Sequence, residues 1–308
     1  MKVMVTGGAG FIGSHVVDAC LEAGHDVLVV DDLSTGKRAN LNPRARFYEV
    51  DIRDAQALEQ VFDQERPEAI AHQAARANVR ESMVKPLLYA DVNVLGSLTL
   101  LELARKYGCR KIVYASTGGA CYGEPEYLPV DENHPVNPLD PYGASKHFVE
   151  HYLFIYRTHY NLDYTILRYP NVYGPRQDPY GEAGVVAIFA NMMLEGGQPI
   201  INGAGDQQRD FVYVGDVARA NLLALTQGGG QILNLGSGKG TSVNEIFALL
   251  RELTGCNCKE QHGPAKLGEV YRTYLLADKA RQELQWEPQV SLRDGLAKTV
   301  AFFQGMAH

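Results

Sequence analysis

The opening of the chain restricts its fold more than any later segment. Lys2-Val-Met-Val-Thr6 is a short apolar strand pattern, and it runs directly into Gly7-Gly-Ala-Gly10-Phe-Ile-Gly13-Ser14, where Gly7, Gly10 and Gly13 fall at GxxGxxG spacing. Glycines at these positions permit a tight turn, a close backbone approach to a pyrophosphate, and close packing of strand on helix. The helix expected next, with Ser14 near its start, turns free N–H groups and the positive end of its dipole toward that pyrophosphate. A second strand, Val27-Leu-Val-Val30, follows and ends on Asp31 and Asp32. An acid there can bind the adenosine ribose hydroxyls and repels a 2′-phosphate, so the βαβ unit predicts NAD as cofactor. Lys37 and Arg38 are the only argument for NADP, and they read as solvated loop charges.

Strand patterns then recur with helical segments between them: Arg46–Val50, Ala69–Ala74, Lys111–Ser116 and Tyr164–Arg168, with helices expected over 54–65, 87–107 and 143–160. This alternation predicts a doubly wound α/β sheet. Beyond Pro170 the loops become rich in Gly and Pro, and short strands such as Ile200–Ile201 and Ile232–Leu235 lie among them. The expected organisation is a dinucleotide-binding domain over 1–169 and a smaller, mixed α/β substrate lobe over 170–308, with part of 207–235 returning to the first domain. Loops at the carboxyl ends of the sheet strands should converge on one cleft. These are Gly7–Gly13, Ala74–Ala77, Ser116–Gly123 and Pro170–Pro175.

Tyr142-Gly-Ala-Ser-Lys146 starts the helix that follows one of those loops. On a helix the two residues share a face, and a nearby ammonium favours the phenolate of a tyrosine whose ordinary pKa is about 10. The pair reads as a tuned proton acceptor. Composition narrows the partners. The net charge is −7 without a basic run, so no nucleic-acid partner is expected. No apolar stretch reads as long enough to span a bilayer, and no membrane partner is expected. The first strand starts at residue 2, leaving no room for a signal peptide, and the five cysteines are an odd number without a disulfide framework. Both features predict a cytoplasmic protein. Cys256 and Cys258 form a lone CxC without a second ligand pair, and no metal site is expected.

Together these stretches resemble the extended short-chain dehydrogenase/reductase family, in its branch of nucleotide-sugar 4-epimerases. The resemblance covers nearly the whole chain. It rests on Thr6–Gly13, Asp31–Gly36, Asp51-Ile-Arg53, His72-Gln-Ala-Ala75, Asn93, Tyr114-Ala-Ser-Thr117, Tyr122-Gly123 and Pro141–Lys146, and further on Leu167–Arg176, Gln208-Arg-Asp210 and Gly268-Glu269. It implies a Rossmann-type fold with retained NAD. The cofactor contacts it implies are Gly7, Gly10, Phe11, Ile12 and Gly13; Asp31, Asp32, Leu33, Ser34, Thr35 and Gly36; Asp51 and Ile52; Gln73, Ala74, Ala75 and Asn93; and Tyr142, Lys146 and Tyr169. It implies interconversion of UDP-glucose and UDP-galactose through a 4-keto sugar, with Tyr142 exchanging the proton of the 4-hydroxyl and Lys146 lowering the Tyr142 pKa. A UDP-sugar substrate would meet Thr117, Tyr142, Asn171, Arg209, Lys266, Glu269 and Thr273. A homodimer built on the 87–107 and 143–160 helices is also implied.

The sequence departs from that pattern in three places. Many relatives carry Ser or Thr where this chain has Gly118, so Thr117, or else Ser116, is expected to supply the hydroxyl, with Gly118-Gly119 shifting the backbone through unusual φ/ψ. The same Gly pair lacks the acid a dehydratase would use. Lys266 replaces a family Arg at the diphosphate, for which Arg272 or Arg176 could compensate. Thr273, or Tyr274 if the alignment slips by one, stands where relatives wall the sugar pocket with Tyr; a Thr there predicts activity that includes UDP-GlcNAc. An epimerase of UDP-glucuronate or another nucleotide sugar is the alternative within the fold, and a non-catalytic NAD-binding regulator the alternative outside it.

Overall fold

The computed structural model describes residues 1–180, 184–265 and 270–306. Its first half runs β1 (Lys2–Thr6), α1 (Phe11–Glu22), β2 (Asp26–Asp31), β3 (Arg46–Glu49), α2 (Ala55–Glu65), β4 (Ala69–His72), α3 (Val79–Val84) and α4 (Pro86–Tyr89). A π-helical segment (Ala90–Leu95) leads into α5 (Gly96–Lys106), then β5 (Lys111–Thr117), α6 (Pro141–Tyr160) and β6 (Asp163–Tyr169). The second half runs β7 (Asn171–Tyr173), α7 (Val185–Leu194), β8 (Ile201–Asn202), β9 (Gln208–Arg209), β10 (Phe211–Tyr213), α8 (Val214–Ala224), β11 (Gln231–Asn234), β12 (Thr241–Ser242), α9 (Val243–Thr254), β13 (His262–Gly263), β14 (Arg272–Thr273), α10 (Asp278–Leu284) and α11 (Leu292–Met306).

Seven strands form one parallel sheet in the order β11-β6-β5-β4-β1-β2-β3. The order reverses between β1 and β4, and ligands of such sheets bind outside the strand ends at that point. The period-2 alternation of β1 explains the two layers: Val3 and Val5 pack with Val16, Val17 and Val217 from α1 and α8, while Met4 packs on the other face with Leu28, Leu58, Leu100 and Val149. Each such side chain contributes about 1.5–3 kcal/mol of burial. A further apolar cluster joins Phe189, Phe247, Leu250, Leu296 and Phe303 from α7, α9 and α11. The 232–235 segment expected as a strand is found over Gln231–Asn234, parallel to β6 as the sheet's edge.

Helix ends follow their cap residues. Asp140 accepts the Gly143 N–H at 2.8 Å and Pro141 opens α6, which stops at left-handed Asn161 (φ 56°). Ser242 and Glu245 close a capping box on α9. The helix expected over 87–107 is continuous from Pro86 to Lys106 but carries the π segment. Buried Asn93 turns its side chain inward there, toward peptide groups of another segment, and the widened turn accommodates it. These 21 residues are also long and apolar enough to cross a membrane, contrary to the sequence expectation. Leu100, Leu101, Leu103 and Ala104 instead pack in the core with α2 and α6, which accounts for the apolar composition.

Candidate active site

The four loops expected to converge do so. They line one cleft of about 1580 Å³, together with Asp31–Gly36, Asp51–Arg53, Tyr142, Lys146, Tyr169 and Arg209. Its first wall is the glycine turn. Gly7 has φ +68° and lies against the next loop, so a Cβ there would come within 2.7 Å of the Ala74 amide nitrogen. At Gly13 a Cβ would sit 2.0 Å from the Gly7 carbonyl oxygen. Neither position admits a side chain, and the result is an open cradle at the start of α1.

Asp31 ends β2 beside this cradle. Its carboxylate accepts the Ala9 N–H at 2.9 Å and the Leu33 N–H at 2.8 Å. Burial pushes its pKa up, and the two N–H bonds work against that shift. Two acceptances leave lone pairs for ribose hydroxyls. Gly36 is as confined as the turn glycines, since a Cβ would lie 2.7 Å from Asp31 Oδ1. Asp32 is exposed and holds Ser34 through its N–H and hydroxyl. Lys37 pairs with Asp178 at 3.3 Å, and Arg38 with Glu49. Both cations are therefore engaged by carboxylates, as suits NAD better than NADP. Asp51 is held below the usual carboxylate range by Arg53, which also bonds Asp91 at 2.7 Å.

The cleft floor is a set of fixed hydrogen bonds. Tyr169 donates to Gln73 Oε1 at 3.1 Å and accepts from Asn221 at 2.8 Å, and Gln73 donates to Asn221 at 2.9 Å. Burial drives the Tyr169 phenol well above its ordinary pKa. A second chain starts at Thr6, whose hydroxyl lies 2.7 Å from His72 Nδ1. His72 Nε2 is 2.8 Å from Ser97 Oγ, and Ser97 donates to the Asn93 carbonyl at 2.5 Å. Because Ser97 spends its proton on Asn93, His72 donates from Nε2 and accepts at Nδ1. Burial, with the Lys146 charge second, lowers His72 to about 3 and keeps it neutral.

Asn93 itself does not line the cleft, so the structure gives no direct contact of the kind expected for it. Its Oδ1 accepts the Arg76 N–H at 2.8 Å, and its Nδ2 donates to the Arg76 carbonyl and to Ser145 Oγ. Ser145 in turn donates to the Tyr142 carbonyl at 2.8 Å. Asn93 thus ties the 74–77 loop to the turn that carries Tyr142.

Tyr142 and Lys146 share the cleft-facing side of α6. The Tyr142 ring meets Tyr89 edge-on, with centroids 6.5 Å apart. Lys146 is buried, with Nζ 4.4 Å from the Tyr114 ring centroid. Burial lowers its pKa from 10.5 to about 7, and Glu150 opposes the shift.

The two candidate hydroxyls separate by strand alternation. Ser116 faces α6 and donates to Glu150 Oε1 at 2.6 Å. Thr117 lies at the strand end, lines the cleft, and accepts the Ala120 N–H at 3.2 Å. The expected backbone shift at Gly118-Gly119 is absent, since neither has positive φ. Gly118 instead lies against Leu275: a Cβ would come within 2.3 Å of Leu275 Cδ1, which would have to move aside. Leu275 is anchored there by its N–H to buried Asp210, at 3.0 Å.

Asn171 and Arg209 line the cleft and Arg272 does not, while Arg176, which also lines it, pairs with Asp18 of α1 at 2.7 Å, beside the glycine turn. Asp206 accepts from Tyr271 and Asp210 from Ser237 and Leu275, and Arg209 donates to the Gln208 carbonyl at 2.9 Å and the Tyr271 carbonyl at 3.3 Å. Thr273 is buried, in register with Arg209, and neither it nor Tyr274 lines the cleft. Lys266 and Glu269 lie outside the described residues. Among the described residues no group of three or more His, Cys, Asp or Glu could hold a metal ion.

The glycine cradle, the acid at the end of β2 and the Tyr–Lys pair agree with the comparison to known proteins. The family model of the NAD dependent epimerase/dehydratase family matches residues 3–236. The chain belongs to this family. A putative UDP-glucose 4-epimerase of Methanocaldococcus jannaschii is 51% identical over 298 residues, 97% of each chain. Among solved structures, the UDP-glucose 4-epimerase of Thermotoga maritima with UDP-glucose has a TM-score of 0.98 at 50% identity, covering 100% of both chains. The Thermus thermophilus UDP-glucose 4-epimerase in complex with NAD has a TM-score of 0.94 at 46% identity, covering 99% of both. As in the family, the cofactor is NAD.

Sequence reading missed Asn221, Ser145, Arg76 and Glu150. Only Glu150 carried a usable signal, four residues after Lys146 on the same helix.

Proposed function

We propose that the protein is an NAD-dependent 4-epimerase of UDP-hexoses that interconverts UDP-glucose and UDP-galactose. The observation that carries this reading is one cleft joining the glycine cradle and Asp31 to Tyr142-x-x-x-Lys146 and, beyond them, to Asn171 and Arg209. NAD fits the first end: Gly7, Gly10 and Gly13 leave room for a pyrophosphate, and Asp31 offers acceptors to the adenosine ribose. Bound there, NAD supplies a hydride acceptor that returns the hydride within the same turnover. Tyr142 takes the proton from the sugar 4-hydroxyl and gives it back to the 4-keto sugar after that sugar has turned over. Lys146 favours the phenolate through its charge. Thr117 donates to the sugar oxygen, because Glu150 occupies the Ser116 hydroxyl. Arg209 and Asn171 hold the nucleoside diphosphate. The substrate-binding part is assigned to 170–308, with β11 returned to the sheet.

The test is a panel of UDP-sugars incubated with purified protein and no added NAD, with products identified. Conversion of UDP-galactose to UDP-glucose is expected, since NAD is retained between turnovers. Absence of conversion in every C4-epimeric pair would overturn the reading.

The protein is further proposed to act as a homodimer. Phe148 and Ile155, seven residues apart on α6, are 47% and 43% exposed, and Leu95 beside them is 57% exposed. Apolar side chains lined up on neighbouring helices fit a second copy of the same surface. Phe148→Glu combined with Ile155→Glu is expected to halve the molar mass in light scattering. An unchanged mass would exclude this face.

A further inference from the structure

Glu150 lies one turn beyond Lys146 on α6, and both are buried, at 4% and 3% exposure. Its carboxylate is fully engaged. Ser116 donates to Oε1 at 2.6 Å, Arg168 Nε donates to Oε1 at 3.0 Å and Arg168 Nη2 to Oε2 at 2.5 Å, and His147 Nδ1 lies 3.1 Å from Oε2. Arg168 also donates to Tyr122, and Tyr122 to Asn234. Burial alone would raise the Glu150 pKa, yet His147, Arg168 and Ser116 together hold it at about 2. It is an anion at every working pH.

Arg168 pairs directly with this buried carboxylate, and Lys146, one helical turn before it and equally buried, lies within reach of its charge without a direct bond to it. Tyr142, one turn before Lys146 on α6, is the phenol whose anion the ammonium favours in the proposed mechanism. His72 on β4 is neutral, Tyr114 on β5 is driven well above its ordinary pKa by burial, and Arg168 on β6 pairs with Glu150. From the helices packed on α6, Asn93 is neutral, Glu81 bonds Lys85, and Glu102 bonds Arg105 and Tyr156.

We propose that Glu150 is a positioning residue for the epimerisation: it is the counter-charge that keeps the Lys146 ammonium protonated inside the sheet–helix interface, and its bond to Ser116 leaves Thr117 as the hydroxyl offered to substrate. The inference rests on the reading of Tyr142 and Lys146 as the proton-handling pair. A purely structural Glu150 would lower stability without moving any titration.

The test compares NAD-loaded wild type, Glu150→Gln, and the double variant Glu150→Gln/Arg168→Met, which removes both charges and covers the case in which the single variant does not fold. The basic limb of the kcat profile, where Lys146 loses its proton, is expected to move about one pH unit lower in Glu150→Gln and by a smaller step in the double variant, where the opposing Arg168 charge is removed as well. KM for the UDP-sugar should stay within about twofold, because no phosphate contact changes. Lysine-selective NMR titration of Lys146 should show the same displacement. A folded, NAD-loaded variant with unmoved limb and unmoved Lys146 titration would overturn the proposal. If wild type epimerises nothing, the functional reading fails, and the NMR titration still decides the role of Glu150.

Discussion

Tyr142→Phe is expected to lower kcat at least about 10³-fold while bound NAD and thermal stability stay at wild-type values. Only the hydroxyl is removed, and the ring retains its edge-on contact with Tyr89. The hydrogen bond from Ser145 ends on the Tyr142 carbonyl, which the substitution leaves in place. A positioned acid–base group contributes about 10²–10⁴ in rate, and the epimerisation needs this one twice, once to remove the proton and once to return it. Turnover by UDP-galactose conversion, alongside spectrophotometric NAD content, gives the measurement. A variant retaining a tenth of wild-type activity would move the proton-handling role to Thr117 or Ser116.

Lys146→Met is expected to abolish turnover and to stabilise the nucleotide-free protein at neutral pH. Burial holds the lysine at about 7 in the folded state against 10.5 when unfolded. Between those values the unfolded chain binds a proton that the folded chain has released, so stability rises with pH across this window. Below pH 7 the full cost of burying the charge is present, on the order of 5 kcal/mol at about 1.36 kcal/mol per pKa unit. Met fills the space against Tyr114 without that cost. The melting temperature at pH 6–7 should rise by at least about 5 °C, and the gain should disappear near pH 10.5. A gain that is the same at pH 6.5 and pH 10.5 would show improved packing rather than a removed charge. Loss of activity together with gain of stability marks a residue held in place for function.

Much of this site was legible in the sequence because its signals are local. Glycine spacing reports where a Cβ cannot fit, as Gly7 and Gly13 show, and a strand ending on Asp31 reports a carboxylate at the carboxyl end of the sheet. An i,i+4 pair reports a shared helix face, and Tyr142 and Lys146 do line one cleft. What local spacing could not carry were contacts between distant segments. Gly118 looked like a source of backbone freedom, but it is a contact with Leu275, which Asp210 holds in place from another strand. Asn93 looked like a cofactor contact, but it joins the Arg76 peptide to Ser145. Thr273 looked like a pocket wall, but pairing with Arg209 buries it.

The sequence by itself determined the cofactor class, the parallel sheet and the shared helix face of Tyr142 and Lys146, since each depends on residues within a few positions of one another. The tertiary structure decided what each of the two candidate hydroxyls meets. Strand alternation sends Ser116 toward α6, where it meets Glu150, thirty-four residues further along the chain. Thr117, one residue on, lines the cleft as Ser116 does, but its side chain accepts only the Ala120 N–H among the bonds described. Spacing along a chain fixes which face a side chain takes, but only the packing of α6 on β5 determines what waits for it there.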